Sequence, residues 1–254
     1  MATPDLTGTT ALVTGASRGF GRAITAALHS AGADVVGVAR GAGDLDKVKA
    51  DLPERFSGVS ADAADPATAA DLMRTHRPDV LVLSAGAMPT VKPLPELDWA
   101  EFTTNWNMDT KQSFHWVRAA LTLPLAPGSV VVTISSGAAL RGSPASGGYA
   151  GAKATTHFIS RYAADEARRR GLGIRFVALL PQLTPATDLG RRGVAAYAAR
   201  NGADLDSYLA GLTEVLTPDQ VAAAVLDCVG SRLAGPRLAG EAYLVSGAGI
   251  RPVD

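Results

Sequence analysis

A doubly wound α/β fold, with a parallel sheet of about seven strands and helices on both faces, is what this chain predicts. Three observations carry that expectation. Short apolar runs alternate with helical stretches at the spacing of crossover-linked parallel strands. A glycine-rich turn lies between the first run and the first helical stretch. A β-branched run, Val130 to Ile134, has the composition of a strand buried on both faces and stops at Ser135-Ser136. At 254 residues, with no linker-like shift in composition, the chain suits one domain over 1–254.

Composition narrows the function classes. Lysine plus arginine balance aspartate plus glutamate at 24 each, so no net field steers the chain to nucleic acid or an anionic membrane. The one cysteine, Cys228, excludes an internal disulfide and any multi-cysteine metal site, and its apolar helical setting reads as a small buried side chain. No charged segment followed by an apolar one opens the chain, and no apolar run approaches membrane-spanning length. The expectation is a cytoplasmic protein without nucleic-acid or membrane partners and without a bound metal.

The first strand, Thr9 to Thr14, runs into Gly15-Ala-Ser-Arg-Gly19-Phe-Gly21 and a helix from Arg22 to Ser30. Glycines 15, 19 and 21 allow a tight turn and let backbone N–H groups approach a pyrophosphate at the helix N-terminus, with Ser17, Arg18 and Phe20 completing the turn. A merely structural turn is the plainer alternative. The second strand, Ala33 to Ala39, ends at Arg40, where an acidic residue would hold ribose hydroxyls and an arginine instead suits a 2′-phosphate. Arg18 adds a second positive charge, which favours NADP(H). Asp44 and Asp46 leave NAD(H) possible, and a solvated face is the plainer alternative for each arginine.

Phe56 to Ala61 reads as the third strand, with Asp62 and Ala63 placed to meet an adenine. Asp79 to Ser84 is the fourth, closed by Ala85-Gly86-Ala87, whose small side chains let the backbone lie against a ribose. One long helix is expected over Trp99 to Leu121, its Trp106, Phe114 and Trp116 in core or helix contacts and His115 packed or interfacial. After the Ser136 loop, Tyr149 and Lys153 stand one turn apart on the same face of an Ala-rich helix running to about Arg170. A phenol beside a fixed cation gives up its proton more readily, and the loop can return the Ser136 hydroxyl to a substrate oxygen. Together the three suit moving a proton on or off a carbonyl oxygen.

The sixth strand, Gly173 to Leu180, ends at Pro181, and Thr184 and Thr187 follow. A loosely helical segment at about 187–216 reads as a mobile cover over the strand ends. Thr217-Pro-Asp-Gln220 is a capping box opening the helix to Val229, and Glu241 to Ser246 is the last strand.

These residues resemble the short-chain dehydrogenase/reductase family over essentially the whole chain. Thr14 to Gly21 resembles its TGxxxGxG, and Tyr149-x-x-x-Lys153 with Ser136 resembles its catalytic set. The resemblance implies a Rossmann fold in which the cofactor lies across the strand ends. Ser136 then positions a carbonyl, Tyr149 protonates it, and Lys153 acts on Tyr149 and binds the nicotinamide ribose. It also implies that Pro181, Thr184 and Thr187 meet the nicotinamide, and that the long helix and the Tyr149 helix pair in a homodimer or homotetramer. Three positions depart from the pattern. Ser84 stands where the family has asparagine, and Gln182 where Pro-Gly is usual. Asp109 replaces a fourth catalytic asparagine, whose main-chain carbonyl holds a water; Asn107 lies roughly 200° away on a regular helix.

The reading that follows is an NADPH-dependent reductase of a ketone or aldehyde, or the reverse. The alternatives are a dehydratase, epimerase or cyclase on the same scaffold, and a regulatory protein that binds cofactor without turnover. Ala87 to Val91, Gly137 to Gly148 and Leu183 to Leu216 should line the substrate pocket. Their composition suggests an uncharged or weakly polar substrate, unless Arg141, Arg191 or Arg192 face inward.

Overall fold

The computed structural model describes residues 3–123, 125–230, 238 and 240–253. Seven strands run parallel: Thr10–Thr14 (β1), Asp34–Ala39 (β2), Phe56–Ser60 (β3), Val80–Leu83 (β4), Val130–Ile134 (β5), Arg175–Pro181 (β6) and Ala242–Ser246 (β7). An eighth, Gly249–Pro252 (β8), pairs antiparallel with β7, so the expected doubly wound sheet of seven parallel strands carries an added antiparallel strand at its edge. Composition hides β8: all four residues are exposed, glycine opens it and proline closes it, and only pairing with β7 defines it.

The strand order is β3-β2-β1-β4-β5-β6-β7-β8. The chain winds outward in opposite directions from the β1/β4 boundary, which opens a crevice beyond the carboxyl ends of the central strands. The connecting helices are Gly19–Ser30 (α1), Ala42–Asp51 (α2), Pro66–His76 (α3), Trp99–Asn105 (α4), Lys111–Thr122 (α5), Ala138–Arg141 (α6), Gly147–Arg169 (α7), Asp188–Arg200 (α8), Leu205–Ala210 (α9) and Pro218–Val229 (α10). Ile24, Leu28, Val221 and Val225 of α1 and α10 are fully buried on one face of the sheet, together with Cys228. Met73, Trp116 and Ala163 of α3, α5 and α7 close the other. Each fully buried aliphatic or aromatic side chain of this kind stabilises the fold by about 1.5–3 kcal/mol. The expected capping box is present at α10, where the Thr217 hydroxyl accepts from Gln220 N–H and the Gln220 side chain accepts from Thr217 N–H.

The single helix expected over Trp99 to Leu121 is instead interrupted. α4 and α5 are joined by a π-helical turn, Trp106–Thr110, in which the Lys111 N–H reaches back to the carbonyl of Trp106. The aromatics separate accordingly. Trp116 is fully buried and its indole N–H donates to the Ala63 carbonyl at 2.8 Å, whereas Trp106 and Phe114 are largely exposed.

Candidate active site

β1 ends at Thr14 and the chain turns through Gly15, whose φ of +70° is a left-handed conformation that favours glycine. At Gly21 a Cβ would stand 2.1 Å from the Gly15 carbonyl oxygen, so the start of α1 packs against the turn as only glycine permits. No side chain caps α1 and no acidic residue lies in its first turn, which leaves its leading N–H groups for an anion. Gly15, Ser17, Arg18, Gly19, Phe20 and Gly21 all line a cavity of about 330 Å³. Arg40, Asp62 and Ala63 line it from the ends of β2 and β3, and Ser84, Ala85 and Gly86 from the end of β4. Asp44 joins Arg18 and Arg40 in its wall; Asp46 does not.

The β4 loop is held by groups that motif reading passed over. The Thr14 hydroxyl accepts from the N–H groups of Ser84 and Ala85, at 3.1 and 3.2 Å, and donates to the Gln112 amide oxygen. The Gln112 amide nitrogen donates to the Ala85 carbonyl at 2.7 Å. Gln112 is buried, and this network ties down the loop through Ser84 without a side-chain amide at that position. The signal available was a polar residue one turn before Trp116 in an otherwise buried stripe.

Asp109 is placed by the π turn. Its Oδ1 accepts from Ala87 N–H at 2.8 Å, and its Oδ2 lies 3.1 Å from the Lys153 ammonium. That contact is an ion pair without hydrogen-bond alignment, since Oδ2 has no hydrogen-bond partner. The approach of Asp109 to the β4 loop explains Gly86, where a Cβ would stand 3.0 Å from Oδ2. The main-chain carbonyl of Asp109 accepts the Ser113 hydroxyl at 2.9 Å.

α7 projects Tyr149 and Lys153 together. The Lys153 ammonium donates to the Ile134 carbonyl at 3.1 Å and lies 5.7 Å from the centre of the Tyr149 ring, while the Ser135 hydroxyl anchors the Lys153 carbonyl at 2.8 Å. Burial alone would push this ammonium below the ordinary lysine value. The Asp109 charge, then Tyr149, outweigh that penalty and hold it above. Among the described residues the Tyr149 hydroxyl has no hydrogen-bond partner.

A second cavity, of about 360 Å³, adjoins the first. Ser136 lines it, its hydroxyl accepting from Ala138 N–H at 3.2 Å and keeping its own proton to donate. Tyr149 and Thr187 line both cavities. Pro181 and Thr184 line only the second, and Thr184 is buried with its hydroxyl donated to the Leu216 carbonyl, a tie within the fold rather than a free contact group. The Thr187 hydroxyl caps α8 by accepting from Gly190 N–H. Leu189, Tyr197 and Tyr208 of α8 and α9 wall the second cavity, as a cover would. A further serine–phenol contact, Ser143 to Tyr197 at 2.6 Å, ties the Ser136 loop to α8. The phenol flanked by a buried cation is Tyr149. Arg141 lines the second cavity, whereas Arg191 pairs with Asp188 and Arg192 is exposed, neither in the wall. Arg251, on the strand that composition hid, completes that wall.

A glycine-cradled helix terminus beside a serine, tyrosine and lysine at the switch point of a doubly wound sheet defines a nucleotide-dependent class of enzyme. The chain belongs to the short chain dehydrogenase family, whose profile matches residues 9–197. It is similar to L-xylulose reductase of Bos taurus, 34% identical over 140 residues, 54% of this chain and 57% of that protein. It thus spans little more than half the length of that relative. It is also similar to 3beta-hydroxysteroid dehydrogenase of Mediterraneibacter gnavus, 28% identical over 239 residues, 85% of this chain and 86% of that one. The solved short-chain dehydrogenase/reductase of Brucella melitensis, described as a glucose/ribitol dehydrogenase, superposes with a TM-score of 0.80. That match covers 97% of this chain and 98% of the other at 24% identity, a likeness of fold.

Proposed function

We propose that this chain is an NADPH-dependent oxidoreductase that reduces a ketone or aldehyde to an alcohol, or runs the reverse. The observation that carries this is the position of Tyr149, which lines both cavities, beside the buried Lys153 in one and with Ser136 in the other. The first cavity fits a dinucleotide: Gly15 and Gly21 leave no room for a Cβ, α1 offers uncapped N–H groups, and Arg18 and Arg40 suit a 2′-phosphate. When bound there, the reduced nicotinamide supplies hydride to the carbonyl carbon. Ser136 donates a hydrogen bond to the carbonyl oxygen and orients it. Tyr149 delivers the proton to that oxygen as the C–O π bond is replaced by C–H and O–H bonds. Lys153, held by Ile134 and Asp109 beside the Tyr149 ring, would bind the nicotinamide ribose and favour release of the phenol proton.

Titration with NADPH and NADH, followed by a ketone and aldehyde panel read at the nicotinamide absorbance, tests the proposal. Tighter NADPH binding with oxidation lost in Tyr149→Phe is expected. Tight binding with no turnover across a broad panel would overturn it in favour of a non-redox or regulatory role.

A further inference from the structure

We infer that the second cavity takes substrates bearing an anionic group remote from the reacting carbonyl, an inference that rests on the reductase reading above. The charge of its wall is the starting point. Among the described residues no aspartate or glutamate lines the cavity, but two arginines do, Arg141 at the end of α6 and Arg251 on β8, and neither lines the nucleotide cavity. Among the described residues neither guanidinium has an ion-pair partner. Arg191 on the cover shows the contrast, since it is paired with Asp188 and stays out of the wall. An exposed arginine is usually a solvated one. Two arginines in the wall of one concave site, with no ion-pair partner and no wall carboxylate among the described residues, are a different arrangement.

The sheet register gives the direction. Arg251 is the cross-strand partner of Leu244, and such partners project from the same sheet face. Leu244 lines the cavity, its Cδ1 lying 3.5 Å from where a Cβ on Gly137 would stand, so Arg251 belongs to the cavity face. The reacting end lies at β5, whose Ile134 carbonyl anchors Lys153. β8 is three strands further along the sheet, a lateral separation of about 14 Å at ordinary strand spacing, shortened by the reach of the side chain. The wall also carries Leu140, Leu183 and Leu244, with the Ser143 hydroxyl bonded to those of Ser146 and Tyr197 at 2.6–2.7 Å. An apolar body with a carbonyl at one end and an anion at the other matches these surfaces and the distance of Arg251 from β5. Guanidinium forks bind carboxylates and phosphates alike, so the shared chemistry is the anion. An uncharged substrate, expected from the composition of these segments, accounts for the leucines but leaves both guanidinium groups without a role.

The test is a ladder of methyl ketones of increasing chain length, each ending in a carboxylate, a phosphonate or a primary amide, assayed at saturating NADPH. The carboxylate or phosphonate should exceed the matched amide in kcat/KM by about tenfold at the favoured length. That ratio should fall toward one in Arg141→Leu/Arg251→Leu, and the better anion of the two identifies the group. Equal or better use of the amide, or an anion preference that survives the double substitution, would overturn the inference. Amides reduced as well as anions, with Tyr149 dependence, would leave the reductase reading standing while this one fails. If no ketone turns over, calorimetric binding of the matched alkyl carboxylate and alkyl amide to the wild type and the double variant decides the same point without turnover.

Discussion

The Asp109 carboxylate and the Lys153 ammonium lie 3.1 Å apart with side chains only 2% and 9% exposed, so the cation beside Tyr149 carries its own buried counter-charge. Removing one partner of such a pair leaves the other stranded, at a cost of about 3–5 kcal/mol. Asp109→Leu should therefore lose that much stability in urea unfolding. Asp109→Asn, which can still accept from Ala87 N–H, should lose less and should shift the pH dependence of kcat, a readout that stability alone would not move.

The same pair sets a stability window at high pH. Lys153 is held above the ordinary lysine value in the folded chain, so the folded state binds its proton more tightly than the unfolded state does. This contribution is fully present below about pH 10.4, the unfolded value, and is lost as pH rises through the folded one. Melting temperatures of the wild type and of Asp109→Leu/Lys153→Met, which removes both charges, should converge or cross above that pH. Parallel curves through the alkaline range would contradict the assignment.

Arg40 stands at the end of β2 in the wall of the nucleotide cavity with Arg18, and Asp44 is already engaged by Lys47 at 2.9 Å. Lys47 holds that carboxyl below its usual range. Arg40→Asp should raise the KM for NADPH about tenfold or more and lower that for NADH. An unchanged ratio would place the 2′-phosphate elsewhere.

Phe158 and Tyr162 stack on α7 with ring centres 6.2 Å apart, yet are 46% and 68% exposed. An exposed aromatic pair on the Tyr149 helix supports the homodimer or homotetramer expected from the family likeness. Tyr162→Glu together with Phe158→Glu should lower the mass measured by light scattering, and a native chain that is already monomeric would dismiss the proposal.

Cys228 is fully buried, and loss of solvation pushes its thiol up to about 12. The thiolate is the reactive form. A disulfide-exchange reagent at neutral pH should modify Cys228 only as fast as the fold opens, and rapid modification of native protein would show that α10 opens readily.

The central architecture was legible because β4 and β5 are apolar but for Thr133, with every residue buried, which half-solvated strands are not. Tyr149, Lys153 and Ser136 were legible because a helix turn and a strand end convert spacing directly into proximity. Other features depend on partners far along the chain. β8 exists through its pairing with β7, Gln112 gains its role from Thr14 and Ala85, and Arg251 reaches the cavity only because Leu244 is its cross-strand neighbour. The break at Trp106–Thr110 was hidden because no glycine or proline marks it, and helical residues simply continue across it.

That break makes the segment before Asp109 behave like a reading frame. A π turn accommodates one residue more than regular winding would, and each residue of a helix advances about 100° around the axis. Dropping a single residue between Trp99 and Asp109 would let the winding become regular at no local cost. It would also remake the turn that now sets the Asp109 carboxylate against Lys153 and Ala87. Length in this helix therefore bears on the chemistry as residue identity does.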